Sequence, residues 1–286
     1  MKTSNKILIG FAAALILIPV LGMVIVSATQ YKNQPDHFEA FKDQIEDLKS
    51  FETKSQGKTS IKLNENYDQI NIENGNGSSL EVKLLKDDNY GAKIADEFKD
   101  VIKFKVNNGI LNISFKQGFK IDDFNNRIII VLYAPEFKNL KAKNLFNLHI
   151  KAELSDFSMD LTDCNFNLAK GGATSTKVVN GDTTENKVFN QTLIKNLKLS
   201  LNNTKFYMSD LDLNSLYINA LNNSSVFINN DEFNSKKLSI NELTINTNGL
   251  ADVKIKQVVV EKAKGVFSDS TKLEIPAYLL NQMYKK

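Results

Sequence analysis

The stretch that decides the fold is 197-LKLSLNNTKFYMSDLDLNSLYINALNNSSVFINN-230. Apolar and polar residues alternate in short runs, Leu197–Leu201, Phe206–Met208, Leu216–Ile218 and Val226–Ile228, separated by Asn, Asp, Ser and Thr. A period of two argues for half-buried strands, not helices. The runs also recur. Phe206, Val226, Val253 and Leu273 stand 20, 27 and 20 residues apart, and Leu197 and Leu216 stand 19 apart. A repeat near 20 residues is the signature of a solenoid whose short strands stack coil upon coil. The longer interval contains Asn229–Ser235, read as a loop bulge.

Asparagine supports this reading. The chain has 35 Asn in 286 residues, many of them between the short runs, as at Asn202, Asn203, Asn222 and Asn223. Asparagine tolerates left-handed backbone at sharp corners. Stacked Asn side chains can also hydrogen-bond from coil to coil.

Working upstream, Ile61 and Leu63, Ile70 and Ile72, and Leu80, Val82 and Leu84 alternate in the same way. Asn107, Asn108 and Gly109 join Val101–Val106 to Ile110–Phe115 as a hairpin-type connection. Arg127–Tyr133 reads as an apolar strand, which predicts burial on both faces, and Ala134 with Pro135 ends it. Gly171–Asn190 has little periodicity and reads as a protruding loop. Leu273–Pro276 and the tail to Lys286 are expected to cover the last coil.

The N-terminal part differs. Ile7–Ala28 is 22 residues without a charge. As a helix it would be about 33 Å long, enough to span a hydrocarbon core. Lys2 and Lys6 precede it, which places the N-terminus in the cytoplasm and the remainder outside. A cleaved signal peptide is the rival reading, with small residues at Val26, Ser27 and Ala28. Phe38, Phe41, Ile45 and Leu48 have helical spacing and predict a short juxtamembrane helix. The expected division is therefore 1–30 stub and anchor, 31–58 juxtamembrane helix and linker, 59–280 solenoid body, and 281–286 tail. The expected fold class is all-β: a single-stranded right-handed parallel β-helix with an N-terminal transmembrane helix.

Composition narrows the function. Cys164 is the sole cysteine, so no intramolecular disulfide or thiolate zinc cluster can form. His37 and His149 are the only histidines. Arg127 is the only arginine, which disfavours nucleic-acid recognition by guanidinium forks. Asp210, Asp212 and Asn214 have calcium-loop spacing, but Ser215 stands where that loop needs Gly, and Leu221 where it needs Glu. Asp160 with Asp163, and Asp122 with Asp123, are loose acid pairs. Alternation turns His149 to the outside and Cys164 outward, without a positioned base for the thiol. No serine sits in a G-x-S-x-G elbow, and Gly75, Gly77 and Gly91 do not form a phosphate loop. No catalytic, cofactor-binding or metal residue is expected, and no cofactor.

The order of segments resembles a known family. Asn108–Ile113 matches a "dGxLxI" strand pair, and Ile130–Pro135 with Leu140 matches a "vxIxxPxLxxL" strand. The chain over 59–280 is similar to the bacterial head GIN domain, a family of proposed auto-transporter adhesins. Its coils hold fewer glycines than that pattern, with Asn, Leu and Lys instead. The resemblance implies an envelope protein with a β-solenoid body and an adhesive role. The function expected is a non-enzymatic, membrane-anchored protein presenting a binding face to a protein or glycan. The alternatives are a periplasmic scaffold or signalling component, and a polysaccharide-active β-helix enzyme. A glycosidase needs two carboxylates at a defined separation, and the chain has no tryptophan for sugar stacking.

Overall fold

A computed structural model describes residues 15, 17–25, 50–123, 126–171, 173–179, 182–189, 191–230 and 237–284, with backbone only over 173–189. The chain divides into two compact units, Met1–Gln44 and Ile45–Lys286. In the first, residues 15 and 17–25 are helical and exposed. Among the described residues no helix is long and apolar enough to cross a membrane. The membrane helix expected over Ile7–Ala28 is thus unsupported: ten of its residues are described, too few to span, and the others lie outside the described residues. The helix expected over 36–51 also lies outside them, apart from its last two positions.

The second unit is nearly all β. Its strands are β1 (Lys58–Lys62), β2 (Gln69–Ile72), β3 (Ser78–Lys86), β4 (Gly91–Ala95), β5 (Ile102–Asn107) and β6 (Ile110–Phe115). Next come β7 (Ile128–Ala134), β8 (Asn139–Ala169), β9 (Ala173–Val179), β10 (Asp182–Phe189), β11 (Leu193–Asn202) and β12 (Lys205–Ser209). The last are β13 (Leu213–Leu221), β14 (Ser224–Asn229), β15 (Leu238–Asn248), β16 (Ala251–Lys256), β17 (Val258–Val266) and β18 (Thr271–Glu274). A 3-10 helix at Asp96–Phe98 follows β4, and an α-helix, α1 (Ala277–Tyr284), ends the described unit.

Two parallel ladders organise the C-terminal half. In the first, Leu197 pairs with Phe157 of β8 and with Leu216, Leu216 with Leu243, and Leu243 with Ala263. In the second, Phe206 pairs with Phe166 of β8 and with Val226, Val226 with Val253, and Val253 with Leu273. The row Phe206, Val226, Val253 and Leu273 predicted from spacing therefore shares one register. Both rows point inward, and all members except Leu273 are buried. Phe166 and Phe206 stack with ring centroids 5.4 Å apart.

The chain turns between the ladders at left-handed residues: Asp163 (φ 53°), Asn203 (φ 49°), Asn222 (φ 44°), Asn223 (φ 59°) and Gly249 (φ 83°). Asn, Asp and Gly reach this region at least cost. Strand β8 passes through two such corners, at Asn144 and Asp163, and folds over itself. The Ser158 amide donates to Lys138 O at 3.0 Å, and Asn165 Nδ2 donates to Phe146 O at 2.7 Å.

Upstream of β8 the pairing is mixed. β2 and β3 lie parallel on β8, and β6 and β7 lie parallel on β2 and β3. Beyond these the sense reverses, with β1–β4, β4–β7 and β5–β6 antiparallel. The expectation of a purely parallel body fails here. The β5–β6 hairpin turns at Asn108 (φ 50°) and Gly109 (φ 77°), where the hairpin-type connection was expected. The protruding loop expected over Gly171–Asn190 is instead an antiparallel pair, β9 with β10, forming a sheet of its own. Backbone pairing replaces apolar periodicity there as the organising signal.

Strand β7 is buried on both faces over Val131–Ala134, as its apolar run predicts. Phe51 packs edge-on against Tyr133 at 5.5 Å and covers Gly91, where a Cβ would collide with its ring. At the other end α1 lies on β17, burying Leu279 and Met283. Gln282 Oε1 accepts the Ala263 amide at 2.8 Å, and Tyr278 Oη donates to Val258 O at 2.8 Å. Helix side chains thus satisfy strand-edge groups that would otherwise invite another chain. Pro276 cannot extend the pairing of β18, and its carbonyl accepts the first helical amides.

Candidate functional site

The parallel registers that align the core also align the outward side chains. On the second ladder Asn167, Tyr207, Phe227, Lys254 and Glu274 form one outward row. Tyr207 and Phe227 stack face to face 4.9 Å apart with nearly parallel planes, and Lys254 Nζ lies 5.7 Å from the Phe227 centroid on the neighbouring strand. The ring faces contact one another inside the row, so the stack presents ring edges outward. Lys256 holds the Glu274 carboxyl below its ordinary range, with Lys254 adding to the effect.

On the first ladder Ser158, Lys198, Tyr217, Thr244 and Lys264 form the corresponding row. Lys198 Nζ lies over the Tyr217 ring at 5.6 Å, and Asn246 donates to the Tyr217 hydroxyl at 3.1 Å. Beside this row runs an amide ladder. Asn196 Nδ2 donates to Asp156 at 2.9 Å, Asn214 Nδ2 to Asn196 Oδ1 at 2.8 Å, and Asn241 Nδ2 to Asn214 Oδ1 at 3.2 Å. These are the strand-to-strand amide bonds expected from the Asn content. A second set lies at the corners, with Asn203 donating to Asp163 at 2.7 Å and Asn222 to Asn202 at 3.0 Å.

Several residues singled out in the sequence have structural roles. Cys164 is buried, contrary to the outward position that alternation predicts. The left-handed Asp163 shifts the phase of alternation by one residue. Cys164 Sγ donates to Thr162 O at 3.1 Å, just as Thr204 Oγ1 donates to Asn202 O at 3.0 Å one corner along. Burial pushes its thiol up to about 11, so the nucleophilic thiolate is not formed at neutral pH. Asp210 is a left-handed corner (φ 55°), and Asp212 Oδ1 accepts the Ser239 amide at 2.8 Å. The calcium-loop spacing therefore serves a strand connection. Asp163 accepts Asn203, Asp122 pairs with Lys120 at 2.7 Å, and Asp123 accepts Asn126 at 3.0 Å. Among the described residues no group of three or more His, Cys, Asp or Glu is arranged to hold a metal.

His149 corrects a further expectation. It does point away from the core, opposite to Leu148 and Ile150, but the outer face there is only partly open to solvent. Burial, then the positive charge of Arg127, brings its imidazole down to about 4, and Asn147 hydrogen-bonds its Nε2 at 2.9 Å. Glu81 faces this group and pairs with Arg127 at 3.2 Å, with Lys83 Nζ 3.8 Å away. Lys151 completes the cluster, its ammonium lowered by burial. Glu81 and Lys83 alternate with Leu80, Val82 and Leu84, and no sequence signal marks their face of β3 as buried. Lys93 is similar: it is fully buried and donates to Ser50 O and Thr53 O at 3.2 and 2.6 Å, above the Tyr133 ring.

Among solved structures, the chain is similar to a candidate lipid-binding protein from Parabacteroides distasonis. That likeness has a TM-score of 0.46 and 16% identity, covering 74% of this chain and 79% of the other. It is also similar to candidate adhesins from Parabacteroides distasonis (TM-score 0.40, 13% identity, 76% and 96% covered) and Bacteroides fragilis (0.42, 12%, 77% and 98%). At these identities and scores the likenesses assign neither fold nor function to this chain. No protein-family model matches the chain, and no curated protein matches it.

Proposed function

We propose that the parallel ladders of β8 and β11–β18 form a β-solenoid, a single-stranded right-handed parallel β-helix joined to the mixed strands β1–β7, and that this GIN-like body over 59–280 works outside the cytoplasm as a non-enzymatic, adhesin-like binding protein. The observation that carries this reading is the outward row Asn167–Tyr207–Phe227–Lys254–Glu274, held in one register over five strand segments. A solenoid offers such rows as a rigid extended face suited to a large partner. The buried Cys164 is a poor candidate for a thiol nucleophile. The uncharged run Ile7–Ala28 supports export, with or without retention as an anchor.

Protease accessibility of the body in intact against lysed cells tests the reading. Digestion in intact cells is the expected result. Protection until the outer barrier is opened favours a periplasmic scaffold instead. Sustained product formation from acidic polysaccharides, abolished by an acid-to-amide change, overturns the non-enzymatic reading.

A further inference from the structure

The amide ladder separates two depressions on the first ladder. The larger, about 770 Å³, is cut across the starts of β11, β13 and β15. Leu154, Ile194 and Leu213 lie beneath it, buried in the core, and Leu193 is the partly exposed apolar side chain beside them. Asn214 and Asn241 stand along its wall. On the other side of the ladder lies a depression of about 420 Å³, walled by Asp156 and Asn196 and reaching Tyr217. Charge balances in each: Lys86 and Lys195 against Glu153 and Asp212 in the larger, Lys138 and Lys198 against Glu136 and Asp156 in the smaller.

We infer that this paired groove binds a neutral oligosaccharide laid across the strands. Three features select that chemistry. The balance of charge gives no net attraction for a polyanion or polycation. Each ladder amide both donates and accepts, and so does a sugar hydroxyl. The partly exposed Leu193 and the alkyl stem of Lys195 offer apolar surface to the C–H faces of sugar rings, while the polar wall fixes their orientation. The amides repeat at the inter-strand spacing of about 4.8 Å, so successive sugar units meet the same groups. The inference rests on the reading of the body as a solenoid with a binding face, and it adds the location and the class of ligand.

Titration calorimetry of the full chain with cellohexaose, chitohexaose and maltohexaose tests it, beside a polygalacturonate hexamer and an uncharged peptide. Saturable binding of at least one neutral hexasaccharide is expected. Asn241→Ala, which ends the ladder, should weaken it about fivefold, the value of one hydrogen bond. Lys195→Glu should change it less than about twofold, because a neutral ligand does not read the charge. Ser239→Ile, which narrows the groove without disturbing the backbone bond to Asp212, should weaken it also if Asn241→Ala proves unstable. No saturable binding of any neutral probe, tighter binding of polygalacturonate or peptide, or binding indifferent to both groove variants overturns the inference. Those outcomes leave the extracytoplasmic binding reading standing, whereas product formation overturns that reading and not the groove.

Discussion

The two halves of the body solve the same problem by different means. From β11 to β18, each strand lies parallel on a strand of the preceding repeat, and its inward residues are mostly aliphatics and Phe, with no buried charge among the described residues. From β1 to β7 the pairing is mixed, and β3 and β7 are buried on both faces. That second buried face carries Glu81, Lys83 and Lys93. In the C-terminal half stability comes from repetition, since each row extends the one before it. In the N-terminal half it depends on single polar contacts, where loss of one partner leaves a buried charge.

The largest effect should come from the end that repetition leaves open. Deleting 275–286 removes α1 and strips Ala263 and Val258 of their partners Gln282 and Tyr278. Concentration-dependent aggregation is expected by light scattering, with a lower melting temperature; unchanged solubility and melting would refute the capping role. Next, Phe206→Ala opens a cavity in the middle of a core row and should cost about 3–5 kcal/mol in urea unfolding. A cost under about 1 kcal/mol would mean that the row is not packed as one unit.

Lys93→Met probes the other half. It keeps the volume but loses the bonds to Ser50 and Thr53, and should cost about 1–3 kcal/mol. Cleavage by protease near 50–57 should quicken at the same time. A smaller change comes from Asn203→Ala, which strains a left-handed corner by about 1–2 kcal/mol, whereas Asn203→Gly should relieve most of that strain. The smallest effect is one of pH. The unfolded His149 takes up its proton near 6.5, the folded one near 4. Stability contributed by the neutral imidazole is therefore present above pH 6.5 and lost as pH falls towards 4. Because the ring is partly exposed, the loss should stay below about 2 kcal/mol. His149→Asn should flatten that part of the pH profile relative to the parent, and an identical slope in both proteins would remove His149 as its source.

The same contrast explains what the sequence could reveal. Phe206, Val226, Val253 and Leu273 were legible because each repeat restates the period, whereas the bulge expected over Asn229–Ser235 lies outside the described residues apart from Asn229 and Asn230. Ile128–Tyr133 was legible because nothing polar interrupts it. Cys164 was misplaced because one left-handed residue, Asp163, resets the alternation, and a period of two has no memory of corners. Glu81, Lys83 and Lys93 were illegible because polar residues at alternate positions look the same whether solvent or protein covers them. The groove at Asn214 and Asn241 depends on registers between strands, which the period implies and side-chain geometry completes.

The central claim is that outward residues form straight rows across parallel strands. Asp160, Ser200, Asn219, Asn246 and Val266 make one such row. Spin labels at Asp160→Cys and Val266→Cys, with Cys164→Ser to leave only these thiols, measure its length by pulsed electron resonance. Four inter-strand steps predict a backbone separation of about 19 Å with a narrow distribution. A broad distribution, or a separation beyond about 30 Å, would contradict the stacked registers and the binding face built on them.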